Sequence, residues 1–586
     1  MSQSSPAYYL GLNLGFDGSA AIVSEGRVLA FNEEERFRRI KHAPGMYPIR
    51  AIRACLAQVG ISWDDLTEIS IGWNLEAYTD GRMRDFYFSV REAFDIDPQT
   101  VAWQDRNLRN RDLDVYTRMH ERELLRGMGV ESIPPVRGYP HHYTHAFQAY
   151  MQSGMDEAVC ISVDGSGDQH CTVLWECRGD TLTPLREFTI PNSLGWFYAA
   201  ITEYLGFAAY DGEYKVMGLA AYGEADPDIQ QRLEQVIRPD ADGIGYLVDP
   251  AYIHYGAHTY SDRYTDALID LLGRPPRQED TPVTAWHKNL AFEAQALLER
   301  TVERMIVWAV EETGIRTVCV GGGVGLNIKM NSRLLELPGV DDVFTHPLCG
   351  DLGGAAGAAL LACFEQTGVR PEHLQTLALG VEFSDEAIEQ VLRTAKVPYR
   401  RSPDIAVDVA DELQAGRIVG WFQGRMEAGP RALGQRSILA NPTSLKYRDD
   451  VNEVVKFREE WRPFCPSMAE EAADRYLRHH TYAPFMVISF PATQELADDA
   501  PAIVHVDGTS RVQLVHEDRN PLFHRLISAF AERSGVPVVL NTSFNVRGEP
   551  IVCTPLDAIR TFSASGMDSL AIGSFIIRKE PTDLGS

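Results

Sequence analysis

The stretch YYLGLNLGFDGSAAIVSEGRVLA, which covers residues 8–30, decides the fold of the first part of this chain. Three short runs of strand-forming residues follow one another in it, at positions 8–13, 19–23 and 27–30. The dipeptides Asp17-Gly18 and Glu25-Gly26 separate these runs. Gly-containing pairs between short apolar runs are typical of tight hairpin turns. The stretch therefore predicts a three-stranded antiparallel meander.

A second stretch repeats this plan later in the chain. Residues 158–163 lead into Asp164-Gly165, then into a run at 171–175 and a further turn at 178–180. Two such meanders predict a duplicated α/β fold with a ligand held between its halves. The pattern resembles the actin-like (ASKHA-type) ATPase superfamily. Helices are predicted around the meanders at 49–59, 116–127 and 285–313.

From about residue 405 the hydrophobic pattern indicates a second α/β domain. Strand-like runs lie at 417–422, 536–540 and 569–573. The region 371–403, which Pro398 punctuates, is the predicted junction. We therefore divide the chain into domains 1–390 and 391–586.

The composition limits the class of protein and its partners. With 586 residues, of which 45% are hydrophobic and 23% charged, the chain resembles a soluble globular protein of two or more domains. Nine cysteines without a CxxC pair argue against a disulfide framework. No apolar run is long enough to span a membrane and no secretory pattern opens the chain, so we expect a cytoplasmic protein without a membrane partner. The net charge of −27 disfavours a nucleic-acid partner, although arginines can still make one pocket positive for a small anion.

Four residues indicate a metal site. His141 and His145 are four positions apart, which places both on one side of a helix. Asp164 stands at a strand end, and Asp351 precedes a Gly-rich segment. Mixed imidazole and carboxylate ligands suit Fe(II), Zn or Mn better than Mg. The alternatives are a surface histidine pair and an Asp351 that caps the following helix.

Two glycine-containing segments are candidates for nucleotide contacts. Gly322 and Gly323 follow an apolar strand and precede Asn327 and a helical stretch. Glycines there let the backbone approach a ligand, and a helix N-terminus favours anions, but a tight turn also needs glycine. Lys215 lies between the glycines of 212–218, where a solvated pair with Glu213 is the alternative to a ligand contact.

The second domain contains many arginines among Gly, Pro and aromatic residues. Three of them occur in the segment 424–437, at Arg425, Arg431 and Arg436. Further polar residues of the same region are Lys456, Arg462, Arg511, Asn541 and Ser543. Guanidinium groups bind phosphate or carboxylate oxygens in bidentate fashion, so the region predicts an anion pocket. Some of these arginines must instead form structural ion pairs, for which Arg425 beside Glu427 is a candidate.

With these residues the chain resembles the O-carbamoyltransferase family that includes the tobramycin and nodulation-factor enzymes. The resemblance extends over almost the whole length. It rests on Glu34-Glu35-Arg36-Phe37, Lys41-His42, His141-xxx-His145, Asp164-Gly165-Ser166-Gly167-Asp168, Lys215-Val216-Met217-Gly218, Gly429-Pro430-Arg431-Ala432-Leu433-Gly434, Lys456-Phe457-Arg458-Glu459 and Asn541-Thr542-Ser543-Phe544-Asn545. It implies a first domain similar to the actin-like threonylcarbamoyl transferase that modifies tRNA, and a YrdC-like α/β second domain.

The resemblance also implies a reaction. The second domain is expected to make carbamoyl-adenylate from carbamoyl phosphate and ATP, and the first to pass the carbamoyl group to a hydroxyl of a small molecule, as in antibiotic biosynthesis. Fe(II), or Zn, Mn or Mg in its place, is expected at His141, His145, Asp164 and Asp351. The implied catalytic residues are Lys456, Arg431, Arg511 and Asp17. The implied nucleotide and carbamoyl phosphate contacts are Lys41, Lys215, Gly322, Gly323, Asn327, Arg462, Asn541 and Ser543.

One departure from the family pattern concerns the first turn. Family members usually carry a histidine there, whereas this chain has Phe16, which can neither accept nor donate a proton. Asp17 is the candidate to take over part of that role. A tRNA-modifying threonylcarbamoyl transferase, which the net charge disfavours, and a non-catalytic actin-like nucleotide-binding regulator are the alternative functions. The acceptor, whose pocket we expect in 76–115 and 240–285, and the oligomeric state, including a homodimer, stay open.

Overall fold

The computed structural model describes residues 6–94, 98–108, 113–254, 263–456, 459, 461 and 464–579. The chain forms two compact units, of which the first contains Met1–Leu29 and Tyr47–Leu374 and the second Ala30–Met46 and Gln375–Ser586. The second unit thus includes helix α1 (Glu34–Arg38), in a segment predicted to lie in the first domain.

The units divide at Leu374, whereas the sequence pattern placed the domain boundary after residue 390. Backbone hydrogen bonds account for the difference. Ala428 N–H donates to Leu377 O at 2.8 Å, and Gly380 N–H donates to Met426 O at 2.8 Å. These bonds join the residues just after Leu374 to a loop of the second unit, and no periodic sequence signal announces such pairing.

The first unit contains two five-stranded sheets and a two-stranded ribbon. Its strands are β1 (Tyr8–Asn13), β2 (Ser19–Ser24), β3 (Arg27–Glu33, whose last four residues belong to the second unit), β4 (Leu66–Ile71), β5 (Val136–Gly138), β6 (Glu157–Gly167), β7 (His170–Arg178), β8 (Thr181–Thr189), β9 (Ile237–Pro239), β10 (Tyr246–Val248), β11 (Thr317–Gly321) and β12 (Asp342–Thr345). Its helices are α2 (Ile49–Val59), α3 (Leu75–Thr79), α4 (Arg82–Ala93), α5 (Pro98–Leu108), α6 (Leu113–Met128), α7 (His141–Met151), α8 (Leu194–Tyr204), α9 (Glu213–Ala220), α10 (Pro227–Val236), α11 (Asp266–Leu272), α12 (Ala285–Thr313), α13 (Ile328–Leu335) and α14 (Gly354–Thr367).

The two large sheets have the same topology. One has the strand order β3-β2-β1-β4-β5 and the other β8-β7-β6-β11-β12. In each, an antiparallel meander continues into two parallel strands, with Leu12 opposite Ile71 in the first sheet and Cys160 opposite Cys319 in the second. The predicted fold class, a duplicated actin-like α/β domain, is therefore confirmed. The helix predicted at 285–313 is α12, which begins and ends at those residues.

The second meander differs from the prediction at one point. Asp164-Gly165 is not the turn: β6 continues to Gly167, and the chain reverses at Asp168, which has a left-handed φ of 53°. The β6–β7 register shifts between Val163 and Gly167. A bulge of this kind releases residues from the ladder and re-aims their side chains. Asp164 is thereby left available for other contacts.

The second unit is built on an eight-stranded sheet of order β13-β22-β21-β14-β15-β20-β16-β19. Its strands are β13 (Arg400–Arg401), β14 (Val419–Phe422), β15 (Arg436–Ala440), β16 (Cys465–Ala469), β17 (Phe490–Pro491), β18 (Thr509–Ser510), β19 (Gln513–Val515), β20 (Val538–Ser543), β21 (Ser569–Ile572) and β22 (Phe575–Arg578). Its helices after α1 are α15 (Asp385–Thr394), α16 (Ile405–Gln414), α17 (Leu445–Val451), α18 (Ala473–Tyr476), α19 (Gln494–Asp499), α20 (Pro521–Ser534) and α21 (Pro555–Ser563). The three predicted strands correspond to β14, β20 and β21.

The core of the second unit lies on one face of this sheet. Trp421, Leu439 and Val539 pack there with Val409 of α16 and Phe530 of α20. These side chains are buried, so apolar contacts close this part of the face. Ser467, Gln513 and Asn541 stand two residues from the core residues Ala469, Val515 and Val539 of β16, β19 and β20, so they point to the same face of the sheet.

Gly322 is a position at which the first unit requires glycine. Its φ is +83°, and a Cβ there would lie 2.2 Å from the carbonyl oxygen of Val163. We expect Gly322→Ala to lower the free energy of unfolding of this unit by at least about 2 kcal/mol, because neither backbone can move away cheaply. Gly314, with φ +71° and open space around its Cβ position, is the matched control. Gly314→Ala should cost only about 1 kcal/mol. Equal losses in chemical denaturation would show that the close approach to Val163 is unimportant.

Candidate functional site

Four ligand atoms converge in the first unit. His141 and His145 project from the first turns of α7, and their Nε2 atoms lie 3.0 Å apart. Asp351 Oδ1 lies 3.5 Å from the first of these nitrogens and 3.9 Å from the second. Asp164 Oδ2 lies 3.9 Å and 3.6 Å from them. All four residues thus offer one ligand atom each within 4.8 Å of one another, as the metal-site hypothesis requires.

The donor set fits a divalent cation. Ligands about 2.1 Å from one ion are roughly 3.0–3.4 Å apart, close to the shorter separations here. His141 Nδ1 hydrogen-bonds to Gly72 O at 2.9 Å, which directs the lone pair of Nε2 towards the cluster. Asp164 accepts hydrogen bonds from Gly323 N–H and Gly165 N–H, both at 2.7 Å. Histidine and carboxylate donors oriented in this way could hold a divalent metal ion.

The electrostatics of the cluster favour positive charge. Burial disfavours a charged His141 ring, but the hydrogen bond and charge of Asp164 and the charge of Asp351 outweigh it and raise the pKa of His141 to about 9. Burial likewise opposes ionisation of Asp164, yet the two histidines hold the pKa of its carboxyl well below the usual range. Two carboxylates in a largely buried pocket therefore attract a cation or protons.

The neighbouring His142 has a structural role, in contrast to His141 and His145. Its Nδ1 lies 3.0 Å from Ser162 Oγ and its Nε2 lies 3.1 Å from His170 O, so both nitrogens are engaged away from the cluster. Burial, reinforced by the adjacent His141, lowers the pKa of His142 well below its ordinary value. His142 is therefore neutral, and it is no ligand.

Asp168 is a supporting residue to which the sequence motif gave no role. Its Oδ2 accepts the His141 N–H at 2.9 Å and its Oδ1 accepts the Asn74 N–H at 3.0 Å. It thereby fixes the beginning of α7, on which both histidines depend. Its place at the end of the Asp164–Asp168 motif was the available signal. The contact with α7 could not be read from the sequence, because the two elements are 27 residues apart.

Asp351 and Asn327 differ in their local contacts. Asp351 opens the 3-10 turn Asp351–Gly353, and neither this turn nor α14 begins with a side-chain cap. Its side chain is 39% exposed and faces the cluster instead. Asn327 does cap a helix: its Oδ1 accepts the Met330 N–H at 3.1 Å, and its Nδ2 donates to Gln295 Oε1 at 2.9 Å. The structure thus gives Asn327 a structural task, whereas Gly323 borders the metal cluster.

The other predicted residues of the first unit lie around glycine-rich turns. Lys215 is on α9, with its Nζ 5.3 Å from the centre of the Phe207 ring. Glu213 accepts backbone hydrogen bonds from Tyr210 and Gly212, so its contacts differ from the predicted pair with Lys215. Asp17 adopts a left-handed φ of 57°, and its carbonyl accepts from Asn13.

Phe16 contributes an aromatic contact where a titratable ring was expected. Its ring lies 5.6 Å from that of Tyr210. Burial, together with the charge of Asp351, raises the pKa of Tyr210, while Arg263 opposes the shift. Arg263 donates to the Tyr210 hydroxyl at 2.5 Å and lies 5.1 Å from the centre of the Trp196 ring. Phe16 is thus part of an aromatic and cationic group near Asp351.

A second cluster forms in the second unit, beside strands β16 and β20. Cys465 of β16 is opposite Asn541 of β20, and Arg511 directs Nε and Nη2 at Cys465 Sγ. Asn541 Nδ2 donates to Ala432 O at 3.1 Å, which brings the loop that carries Arg431 to the same place. The structure therefore assembles three predicted anion-binding residues, Arg431, Arg511 and Asn541, around neighbouring strands.

Lys456 and Ser543 lie beside this cluster. The Lys456 ammonium donates to Ser543 O at 2.5 Å and to Asn545 O and Oδ1, both at 2.9 Å. Ser543 Oγ donates to Asn545 Oδ1 at 2.7 Å. Lys456 therefore stabilises the chain at the end of β20 and places a buried positive charge there. Lys41 lies in the segment Ala30–Met46 of this unit, and Arg462 lies outside the described residues.

Arg36 of the Glu34–Phe37 motif and the preceding Glu33 hold the loop that carries Arg431. We call their hydrogen bonds to Gly429 the Gly429 clamp. Glu33 Oε1 accepts the Gly429 N–H at 2.7 Å, and Arg36 Nη2 donates to Gly429 O at 2.6 Å. Arg36 is fully buried and pairs with Glu33 at 3.1 Å. Both backbone groups of Gly429 are thereby fixed two residues before Arg431. Glu33 was missed in the sequence because its partner is 396 residues away.

The arginines flanking Arg431 have structural roles. Arg425 donates to Leu379 O at 2.6 Å, and Arg436 donates to carbonyls that include Gln423 O at 2.7 Å. Burial lowers the pKa of Arg436 to about 10, against the raising effect of Glu427. Glu427 Oε1 accepts the N–H groups of Leu433 and Arg436. The expected pair of Arg425 with Glu427 is thus replaced by contacts to the backbone.

Comparisons with known proteins give matches over most of this chain. The family model described as carbamoyltransferase N-terminus matches residues 9–360, and the one described as carbamoyltransferase C-terminus matches residues 410–579. Nodulation protein NolNO of Sinorhizobium fredii is 35% identical over 96% of this chain and 79% of its own length. Nodulation protein NolO of Bradyrhizobium diazoefficiens is 37% identical over 76% of this chain and 79% of its own length. An uncharacterized protein of Synechocystis, sll1178, is 35% identical over 98% of this chain and 97% of its own length.

Among the described helices, none has the length and apolar character needed to cross a membrane.

The histidine pair gives a direct test of the metal hypothesis. After anaerobic incubation with Fe(II), Mn(II) or Zn(II) and dialysis, the wild type should retain about one ion per chain, and His145→Gln less than about a tenth of that, because one of four ligands is lost. His142→Gln is the matched control, since His142 is equally buried but points elsewhere. Mass-spectrometric metal analysis reads out the result. Equal retention by His145→Gln and wild type would rule out a site at these four residues.

Proposed function

The chain belongs to the carbamoyltransferase family, and we propose that it is an ATP-dependent O-carbamoyltransferase that acts on a hydroxyl of a small-molecule acceptor. The observation that carries this proposal is the convergence of His141, His145, Asp164 and Asp351 in a unit separate from the arginine-rich cluster. Two chemically different clusters suit a reaction with two stages.

The first stage activates the carbamoyl group in the second unit. Carbamoyl phosphate, ATP and water are converted to carbamoyl-adenylate, phosphate and pyrophosphate. In this reaction the carbamate released from carbamoyl phosphate attacks the α-phosphorus, and the bond to pyrophosphate breaks. Both substrates are polyanions, and Arg431, Lys456 and Arg511 supply positive charge around β20. Fixed charges of this kind stabilise charge that develops on phosphate oxygens.

The second stage transfers the carbamoyl group in the first unit. The acceptor oxygen attacks the carbamoyl carbon, AMP leaves, and the hydroxyl proton is released. A divalent ion held by the four ligands would neutralise charge on the adenylate phosphate. The chain's own groups orient this site: Gly72 O fixes His141, and the Gly323 N–H fixes Asp164. Because Phe16 cannot take the hydroxyl proton, Asp17 is the proposed base.

The two stages predict that a substitution in the second unit slows adenylate formation, whereas a substitution in the metal cluster does not. With ATP, Mg²⁺ and labelled carbamoyl phosphate but no acceptor, the wild type should form carbamoyl-adenylate and release pyrophosphate. Lys456→Ala should lower this rate about 100-fold, because a buried positive charge is lost beside the proposed phosphate contacts. Asp164→Asn should stay within about threefold of the wild type, since Asp164 belongs to the other unit.

Lys446→Ala is the control for the lysine, because Lys446 is exposed on α17 of the same unit. It should leave adenylate formation unchanged. Chromatography of the labelled products and a coupled pyrophosphate assay measure the rates. A wild type that forms no adenylate would contradict the first stage. An Asp164→Asn variant as impaired as Lys456→Ala would contradict the division of labour between the units.

A further inference from the structure

A chain of hydrogen bonds crosses strands β19, β16 and β20 of the second unit's sheet. Gln513 Nε2 donates to Leu433 O at 2.9 Å, and Ser467 Oγ donates to Gln513 Oε1 at 2.7 Å. Asn541 Nδ2 donates to Ser467 Oγ at 2.8 Å and to Ala432 O at 3.1 Å. The three side chains are buried, with 5%, 0% and 1% exposure for Gln513, Ser467 and Asn541.

The direction of this chain is fixed at both ends by backbone carbonyls. Leu433 O can only accept, so the amide nitrogen of Gln513 must face it, and its oxygen must face Ser467. The Ser467 proton is then committed to Gln513, so its oxygen accepts from Asn541. Ala432 O, again only an acceptor, takes the second Asn541 proton. The Asn541 amide therefore has one orientation, although amide oxygen and nitrogen are alike in shape.

This orientation leaves Asn541 Oδ1 as a buried acceptor without a hydrogen-bond partner among the described residues. Such a group is costly unless a ligand supplies a donor. Asn541 is opposite Cys465 in the sheet register, and the Arg511 guanidinium points at Cys465. A ligand here meets an acceptor and a guanidinium side by side. These requirements describe a small anion that carries an N–H group.

We propose that Gln513 and Ser467 are positioning residues that fix the Asn541 amide so that its oxygen accepts a hydrogen bond from the carbamoyl NH₂ of carbamoyl phosphate. The proposal rests on the function inferred above. It makes the enzyme select a carbamoyl over an acetyl group, because a methyl group has no proton to donate and would leave Oδ1 buried and unpaired. Sites built to hydrogen-bond a substrate group reject analogues that lack it far more strongly than apolar pockets do.

The test compares carbamoyl phosphate with acetyl phosphate. Acetyl phosphate is used as a competitive inhibitor of pyrophosphate release, so that the KM of carbamoyl phosphate and the Ki of acetyl phosphate come from one assay. In Ser467→Ala the Asn541 amide can rotate. The KM of this variant for carbamoyl phosphate should rise about tenfold, because the amide oxygen no longer faces the carbamoyl NH₂. The Ki of acetyl phosphate and the KM of ATP should change less than about twofold. Gln513→Met, which keeps the side-chain length, should shift the same ratio.

Ser510→Ala is the matched control, because Ser510 is equally buried and donates to Ile503 O at 2.8 Å without joining the chain. It should keep the wild-type ratio. Thermal unfolding checks that each variant is folded, and Gln513→Met carries the test if Ser467→Ala is not. A wild type that releases no pyrophosphate overturns the proposed function and this inference together. A wild type that does so, with variants that keep its selectivity ratio, overturns the inference alone.

Discussion

The hydrogen bond from the Gly323 N–H to Asp164 Oδ2, 2.7 Å long, is the constraint on which the first site depends. It joins the end of β11 to the bulged end of β6, which are parallel neighbours in the sheet. Gly322 permits the approach, because its φ of +83° and missing Cβ leave room for the Val163 carbonyl. Helix α7 packs on the same two strands and brings His141 and His145 over this junction. Without that bond, Asp164 would not be held beside the histidines.

The second unit also uses hydrogen bonds to position its candidate ligand-binding residues. Apolar contacts with α16 and α20 bury one face of its sheet, and Ser467, Gln513 and Asn541 are buried on that same face. Hydrogen bonds among buried polar groups of this kind fix the direction of each group. The loop that carries Arg431 is held by Glu33 and Arg36 before it and by Glu427 after it. Positive charges are therefore presented from a rigid frame.

Much of this could be predicted from the sequence, because it depends on local patterns. Turn dipeptides between short apolar runs predicted the two meanders, and helical spacing predicted α12 to the residue. Spacing alone also predicted that His141 and His145 share a side of a helix. The misplaced turn at Asp164-Gly165 shows the limit of local patterns, since a bulge and a turn use the same residue types. The Gly429 clamp and the Gln513–Ser467–Asn541 chain could not be predicted, because their partners are distant in sequence and specified by packing.

We propose above all that this carbamoyltransferase activates the carbamoyl group by adenylation before transfer. Exchange of labelled pyrophosphate into ATP tests that claim most directly, because it requires neither the acceptor nor release of the intermediate. Label should enter ATP when carbamoyl phosphate is present and should not enter it when carbamoyl phosphate is omitted. Exchange that is absent, or that does not depend on carbamoyl phosphate, would contradict this proposal.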